Sequence, residues 1–478
     1  MKETYLTIDL GTGNSRVALA DISGNIIDLI SFENIYYEEK NAKYFIPKQW
    51  FKKIMDAASS LANAHPELRI IAVSATSARE GIVLIDKHGH CPVGLPNIDR
   101  RGNQYMNHFS NYSDKIYSLS GRWLDSLFSA LKLVGFRETN PNDFSFIKSF
   151  TSLSEWIGYS LTGQTGISPS HACETQLFDI HTRKWSEELC SIFQINTDIL
   201  PPLIESGQVL GTVTSDFSAT LHLTEPVPFI VSGADTQTAA YGVNAQENDT
   251  VIISGTTTPI VSLLSSLPSD ISKKCWTDCG LHHNWLIETN AGTTGLNLQN
   301  YKNNFMPDID YSLLEKEISC RKTFKCIASF GTKQFSENLT IKKGGLYMSA
   351  PFDSGIDRFD FARSILADSA CGIALHYKEL ISIHPHDSSY ILGCGGGFQS
   401  KVFSQWLADL TNKEIVLHKH FRQASIAGCV RICNEHFHLS TNDMEVVSIF
   451  APQKKNNSIH DYYEQWLQIR SENITKSM

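Results

Sequence analysis

The chain has 478 residues, too many for one ordinary hydrophobic core, so two or three domains are expected. Hydrophobic residues at 42% against charged residues at 19% exclude a disordered chain, and a formal net charge of -9 excludes the basic surface that nucleic acid would require. Eleven scattered cysteines suit free thiols in a reducing cytosol rather than a disulfide framework. Like charges gather only in pairs such as Lys342-Lys343 and Lys454-Lys455, which read as solvated faces. The N-terminus runs straight into an apolar strand without a signal-peptide pattern, and no apolar stretch approaches the roughly 20 residues of a membrane span. A cytoplasmic protein with no membrane partner is expected.

The first predicted element is Tyr5 to Asp9, a short apolar run ending in an acid. Gly11-Thr12-Gly13 follows, a strand pattern resumes over Val17 to Ile22, and Ser23-Gly24-Asn25 turns the chain into a third strand, Ile26 to Ile30. Together these predict a β-meander around a Gly-Thr tip. Gln49 to Ala64 carries helical periodicity, Arg69 to Ser74 and Gly81 to Asp86 are strand-like, and the pattern from Phe144 to Leu161 predicts a helix stopped by Gly163. Pro226 to Ser232 reads as a buried strand entering Gly233-Ala234-Asp235 and then a helix.

Val251 to Thr258 repeats the opening pattern of apolar strand and Gly-Thr tip, with Pro259 to Leu264 as the second strand. The two units predict an internal duplication, with domains over 1–245 and 246–478 and a polar hinge near 243–250. Farther on, Ile391 to Cys394 ends in the run Gly395-Gly396-Gly397. Phe398-Gln399-Ser400 then opens a helix with an apolar stripe of Phe403, Trp406, Leu407 and Leu410.

Glycine-threonine tips can cradle phosphate, because backbone N–H groups approach the oxygens unhindered and the hydroxyl adds a donor. A glycine run ahead of a helix allows close approach of an adenosine. Singly these signals are weak, since many hairpins carry them. Their order along the chain, with Asp9 beside the first tip and Asp235 before the second, is far more specific. No Gly-x4-Gly-Lys-[Ser/Thr] occurs, which excludes a P-loop. Cys275, Cys279, His282 and His283 have poor spacing for zinc and read better as buried thiols beside a polar turn. Taken alone, Asp235 reads as a helix N-cap.

With these motifs in place, the chain resembles the FGGY family of carbohydrate kinases over nearly its whole length. The resemblance implies an α/β fold of two actin-like (ribonuclease-H-like) domains around an interdomain cleft for ATP and substrate. By resemblance, Gly11, Thr12 and Gly13 form the first phosphate motif and Gly255, Thr256 and Thr257 the second, while Gly396, Gly397 and Ser400 belong to the adenosine motif. Asp235 is implied as the general base, and Asp9 with Asp235 as the carboxylates that position Mg²⁺. A homodimer is compatible with the family.

At the substrate end, an adjacent arginine and carboxylate can hydrogen-bond neighbouring hydroxyls. Arg79-Glu80 resembles the substrate pair of glycerol kinases, whereas xylulose kinases carry Met-His there. Leu127 and Thr236, however, stand where glycerol kinases have tyrosine and glutamine. The wording around Ala78 to Leu84, Asn97-Ile98-Asp99 and Asp235-Thr236-Gln237 is most similar to autoinducer-2 kinases. It implies Arg79, Glu80, Asp99, Asp235 and Thr236 as substrate residues, with dihydroxypentanedione as acceptor. The alternatives are a glycerol, polyol or ketose kinase, or a non-catalytic nucleotide-binding regulator on the same scaffold. Ser349-Ala350-Pro351-Phe352-Asp353 and Ala367 depart from the family pattern.

Overall fold

The computed structural model describes residues 2–270, 272–331, 341, 343–440, 445–453 and 457–475; Lys342, Lys454 and Lys455 of the two lysine pairs lie outside them. In the first half of the chain, β1 (Lys2–Leu10), β2 (Asn14–Asp21) and β3 (Ile26–Glu33) form the expected antiparallel meander. Two further strands, β4 (Leu68–Ser77) and β6 (Pro228–Ala234), join parallel to it, and β5 (Val209–Thr212) closes the edge. The order is β5-β6-β4-β1-β2-β3. β1 is buried from Thr4 to Leu10, as a central strand covered on both faces must be.

The second half repeats this plan. Antiparallel β7 (Thr250–Ile253), β8 (Thr257–Leu264) and β10 (Trp285–Thr293) are extended at one edge by β9 (Trp276–Cys279). At the other side β11 (Tyr390–Cys394) and β12 (Glu414–His418) add parallel, followed by β13 (Val446–Phe450). In both sheets the first strand of a meander pairs in parallel with a strand that returns after a helical crossover. The duplication expected from the two Gly-Thr tips is therefore present at the level of topology.

Helix Pro47–Ala64 covers the first sheet with the stripe Trp50, Ile54, Ala57, Ala58 and Leu61. Burying Ile54 and Leu61 contributes about 1.5–3 kcal/mol each. The expected helix over Phe144 to Leu161 is only half present. Ile147–Ser152 is a strand paired with Ile82–Asp86, and the helix occupies Leu153–Thr162. The apolar spacing of Phe144, Ile147 and Phe150 imitates a helical stripe, but the ladder with Ile82–Asp86 satisfies that backbone instead. Ser152 then caps the helix by accepting the Glu155 N–H, and Gly163 ends it at φ +74°.

The halves meet through helices Asp235–Gly242 and Ala424–His436, which cross with glycine on both sides. A Cβ on Gly242 would stand 1.9 Å from the Ala424 carbonyl oxygen, and one on Gly428 would stand 2.0 Å from that of Thr238. Tyr5 also reaches across, donating its hydroxyl to Asn434 Oδ1 at 2.8 Å. Among the described residues, no helix is long and apolar enough to cross a membrane.

Candidate active site

Asp235 stands where β6 passes into its helix, but it is not the cap. Ala234 holds the N-cap position and no side chain caps the helix. The Asp235 carboxyl is left to the site, with a single weak hydrogen bond from Thr236 Oγ1 at 3.3 Å. Burial pushes its pKa up to about 7; Arg79 opposes the shift, and the charges of Asp9, Glu174 and Glu80 add to it. A carboxylate tuned this close to neutral pH is suited to accept a proton. Asp9, at the end of β1, is buried, and its Oδ2 accepts from Ser425 Oγ at 2.8 Å and Arg16 Nη1 at 3.2 Å.

Arg79 and Glu80 are buried inside a charge network rather than exposed on a loop. The Arg79 fork grips Glu288 of β10 with both terminal nitrogens, Nη2 to Oε1 at 2.7 Å, and Nη1 also reaches Asp278 Oδ2 of β9 at 3.4 Å. Its Nε faces Glu174 at 3.7 Å and Glu80 at 3.9 Å. Arg122, fully buried, binds the other oxygen of Asp278 and stacks between the rings of Phe128 and Trp276. Glu80 sits in the left-handed region at φ +60°, held there by Ser129 Oγ and Lys132 Nζ on its carbonyl at 3.1 and 2.9 Å. Lys132 also binds the carbonyl of Leu127, the residue where a tyrosine would mark glycerol kinases. Burial lifts the Glu80 pKa against the pull of Arg79 and pulls that of Lys132 down to about 8.

Asp99 lies in the loop over residues 97–101. It is fully buried, and its carboxylate accepts from Arg101 Nε at 2.6 Å and from the N–H groups of Lys43 and Arg101 at 3.0 and 3.2 Å. Three donors leave it as an anchor for the 97–101 loop, which presents Asn97 Nδ2 to Thr12 Oγ1 at 2.8 Å. Thr236 is buried beside Asp235.

The first tip is a tight hairpin, Gly11 N–H to the Asn14 carbonyl at 3.1 Å, with Gly13 exposed and accepting from the Asn34 N–H at 3.0 Å. The second closes through Gly255 N–H to the Thr257 carbonyl at 3.1 Å, and all three of Gly255, Thr256 and Thr257 are exposed. A cavity of about 380 Å³ brings Gly255 and Thr256 together with Gly396, Gly397 and Ser400, and its apolar wall includes Leu298, Leu314 and Phe403. Thr257 does not line it. Ser400 caps helix Lys401–Thr411 through the Phe403 N–H at 3.1 Å.

The glycine run is dictated by the approach of the second tip. Gly395 lies at φ +93° with its N–H bonded to the Phe421 carbonyl, and the Gly397 N–H binds the Ser254 carbonyl at 3.1 Å. A Cβ on Gly397 would sit 2.1 Å from Ser254 Oγ. Gly397→Ala should therefore separate the two walls and weaken ATP binding about tenfold or more, which is about 1.4 kcal/mol. Titration of ATP against both proteins checks this, and unchanged affinity would remove the cavity from nucleotide binding.

Sequence reasoning did not find Arg122, Glu174, Asp278 or Glu288. Cys275 and Cys279 are buried as expected, and among the described residues no group of three or more His, Cys, Asp or Glu side chains forms a metal cage.

The N-terminal domain of the FGGY family of carbohydrate kinases matches residues 4–242. The chain is 37% identical over 471 residues to YoaC of Bacillus subtilis (strain 168), covering 97% of this chain and 96% of that one; YoaC is named as a putative sugar kinase, without a specified sugar. It is 26% identical to the autoinducer-2 kinase of Escherichia coli (strain K12), covering 90% of this chain and 85% of that protein. Its fold is similar to xylulose kinase from Lactobacillus acidophilus (TM-score 0.86, 16% identity, 98% of both chains). It is also similar to Plasmodium falciparum glycerol kinase with ADP (TM-score 0.84, 17% identity, 99% and 98% coverage). These likenesses carry the two-domain actin-like, ribonuclease-H-like architecture. The chain belongs to the FGGY family of carbohydrate kinases and is a phosphotransferase with an alcohol acceptor.

Proposed function

We propose that the protein moves the γ-phosphoryl group of ATP onto a hydroxyl of a small sugar-like molecule, with dihydroxypentanedione, the autoinducer-2 precursor, as the first acceptor to test. The observation that carries this reading is Asp235, freed from capping duty and poised near neutral pH by its surroundings. In this reading Asp235 accepts the proton of the attacking hydroxyl, and the two Gly-Thr tips hold the phosphates. Gly396, Gly397 and Ser400 border the adenosine, and Thr236 and Glu80 face the acceptor. Two carboxylates, Asp9 and Asp235, fit a Mg²⁺ ion carried in by the nucleotide, which would neutralise phosphate charge when bound. We place the domain boundary at 245/246, in the polar segment that leads into β7.

The acceptor reading is supported by the wording shared with autoinducer-2 kinases and by the 26% identity to one of them. Coupled measurement of ADP release across sugars, polyols and dihydroxypentanedione tests it. Dihydroxypentanedione should raise ADP production about tenfold or more over the acceptor-free rate, a change of about 1.4 kcal/mol in the barrier. A response to glycerol or a ketose instead would reassign the acceptor, and silence across the panel would sink the sugar-like class.

A further inference from the structure

Two thiols meet where the halves of the chain touch. Cys173 opens the short turn Cys173–Thr175 of the first half, and Cys279 ends β9 at the edge of the second sheet. Both are completely buried. The Cys279 N–H donates to Cys173 Sγ at 3.3 Å, placing that sulfur against the backbone of the other cysteine. Among the described residues, Cys279 is the one fully buried member that the second half inserts into a core otherwise built from residues 82–199. The flanking residues belong to the site: Glu174 follows Cys173, Asp278 precedes Cys279, and both face the guanidinium of Arg122.

We propose that Cys173 and Cys279 form a reversible disulfide that locks the two halves together beside the substrate end of the cleft. The electrostatics favour Cys173 as the attacking sulfur. Burial raises its pKa, but the hydrogen bond from Cys279 and the charge of Arg122 overcome that and lower it, while Cys279 stays protonated. The oxidant is a hydroperoxide, small enough to enter as the halves part. The Cys173 thiolate attacks the terminal peroxide oxygen, the O–O bond breaks, and the alkoxide or hydroxide leaves and takes up a proton, giving a sulfenic acid. On closure, Cys279 loses its proton and its sulfur attacks the sulfenic sulfur. The S–S bond forms, the S–O bond breaks, and hydroxide departs as water with that proton. Two electrons pass from the thiols to the peroxide.

The bond would fix the spacing of Glu174 and Asp278, and with it the cross-half grip on Arg79 and Arg122, until a dithiol reductant reopens it. This inference does not depend on the identity of the acceptor.

Purified full-length protein treated with hydrogen peroxide, alkylated and digested without reduction provides the test. A Cys173–Cys279 linked peptide should dominate the oxidised products and disappear after dithiothreitol. Hydrogen exchange in peptides spanning 121–128 and 276–293 should slow about tenfold in the oxidised protein, because the halves no longer separate. Cys173→Ser and Cys279→Ser should each abolish the link, whereas Cys190→Ser, in the same core, should retain it. The wild-type peptide map decides the matter even if a serine variant misfolds. Both thiols recovered alkylated after peroxide treatment, or a link to a different cysteine, overturns the disulfide; a link without slowed exchange overturns the lock.

Discussion

Asp235→Asn is expected to lower turnover about 10²–10⁴-fold, the span that a positioned general base contributes, while ATP affinity stays within about twofold. The amide keeps the size of the carboxyl but loses its charge and its ability to take the hydroxyl proton. The wild-type rate should fall as pH drops through about 7, because the base must be deprotonated to act and its pKa is raised to that region. The same shift has an opposite signature in stability. A carboxyl whose folded pKa lies above its unfolded value favours folding most while protonated in the native state. Stability is therefore fully present below the unfolded pKa and is lost as pH rises toward the folded one. Asp235→Asn should thus resist denaturant better than wild type at pH 8, by about 1–4 kcal/mol, and no better at pH 4. Steady-state kinetics and urea melts at both pH values check the pair of effects. Wild-type turnover in the variant would move the base to another residue, and equal stability at pH 8 would remove the strained carboxyl.

What the sequence carried well was local. A strand, a Gly-Thr tip and a second strand are contiguous, so both meanders could be read directly, and so could the glycine run before helix Lys401–Thr411. The junction at Asp235 was equally visible, though its capping alternative was closed only by finding Ala234 at the N-cap. What could not be read was every partner supplied from far along the chain. Arg79 and Glu288 are 209 residues apart, and no spacing rule links them. The surroundings of Asp99 were hidden for a related reason: its donors include the Lys43 N–H, 56 residues upstream, and no local pattern reports such a contact. Local pattern also failed at Ile147–Ser152, where helix-like apolar spacing yielded to a strand partner 65 residues upstream or so, a distance no periodicity reports.

Arg79→Met should destabilise the protein by about 3–5 kcal/mol, because it strands Glu288 as a buried carboxylate without its cation, while Asp278 keeps Arg122. Glu288→Gln should cost less but in the same direction, since Arg79 keeps Asp278, Glu174 and Glu80 within reach. The double variant should be more stable than the sum of the single losses allows, with a coupling of about 1.5 kcal/mol or more, as close buried charge pairs show in double-mutant cycles. The burial of both partners makes a second demand. An exposed pair would lose its contribution between 0.05 and 0.5 M salt, roughly the range over which screening shortens from beyond 10 Å to below it, whereas this coupling should persist. The substrate reading is affected too. With both terminal nitrogens of Arg79 on Glu288, the residue joins the two halves first, and an acceptor hydroxyl competes for a fork that is already engaged. Chemical denaturation of the four proteins at two salt concentrations measures all of this. Additive losses, or a coupling that vanishes in high salt, would show that Arg79 and Glu288 do not hold the halves together.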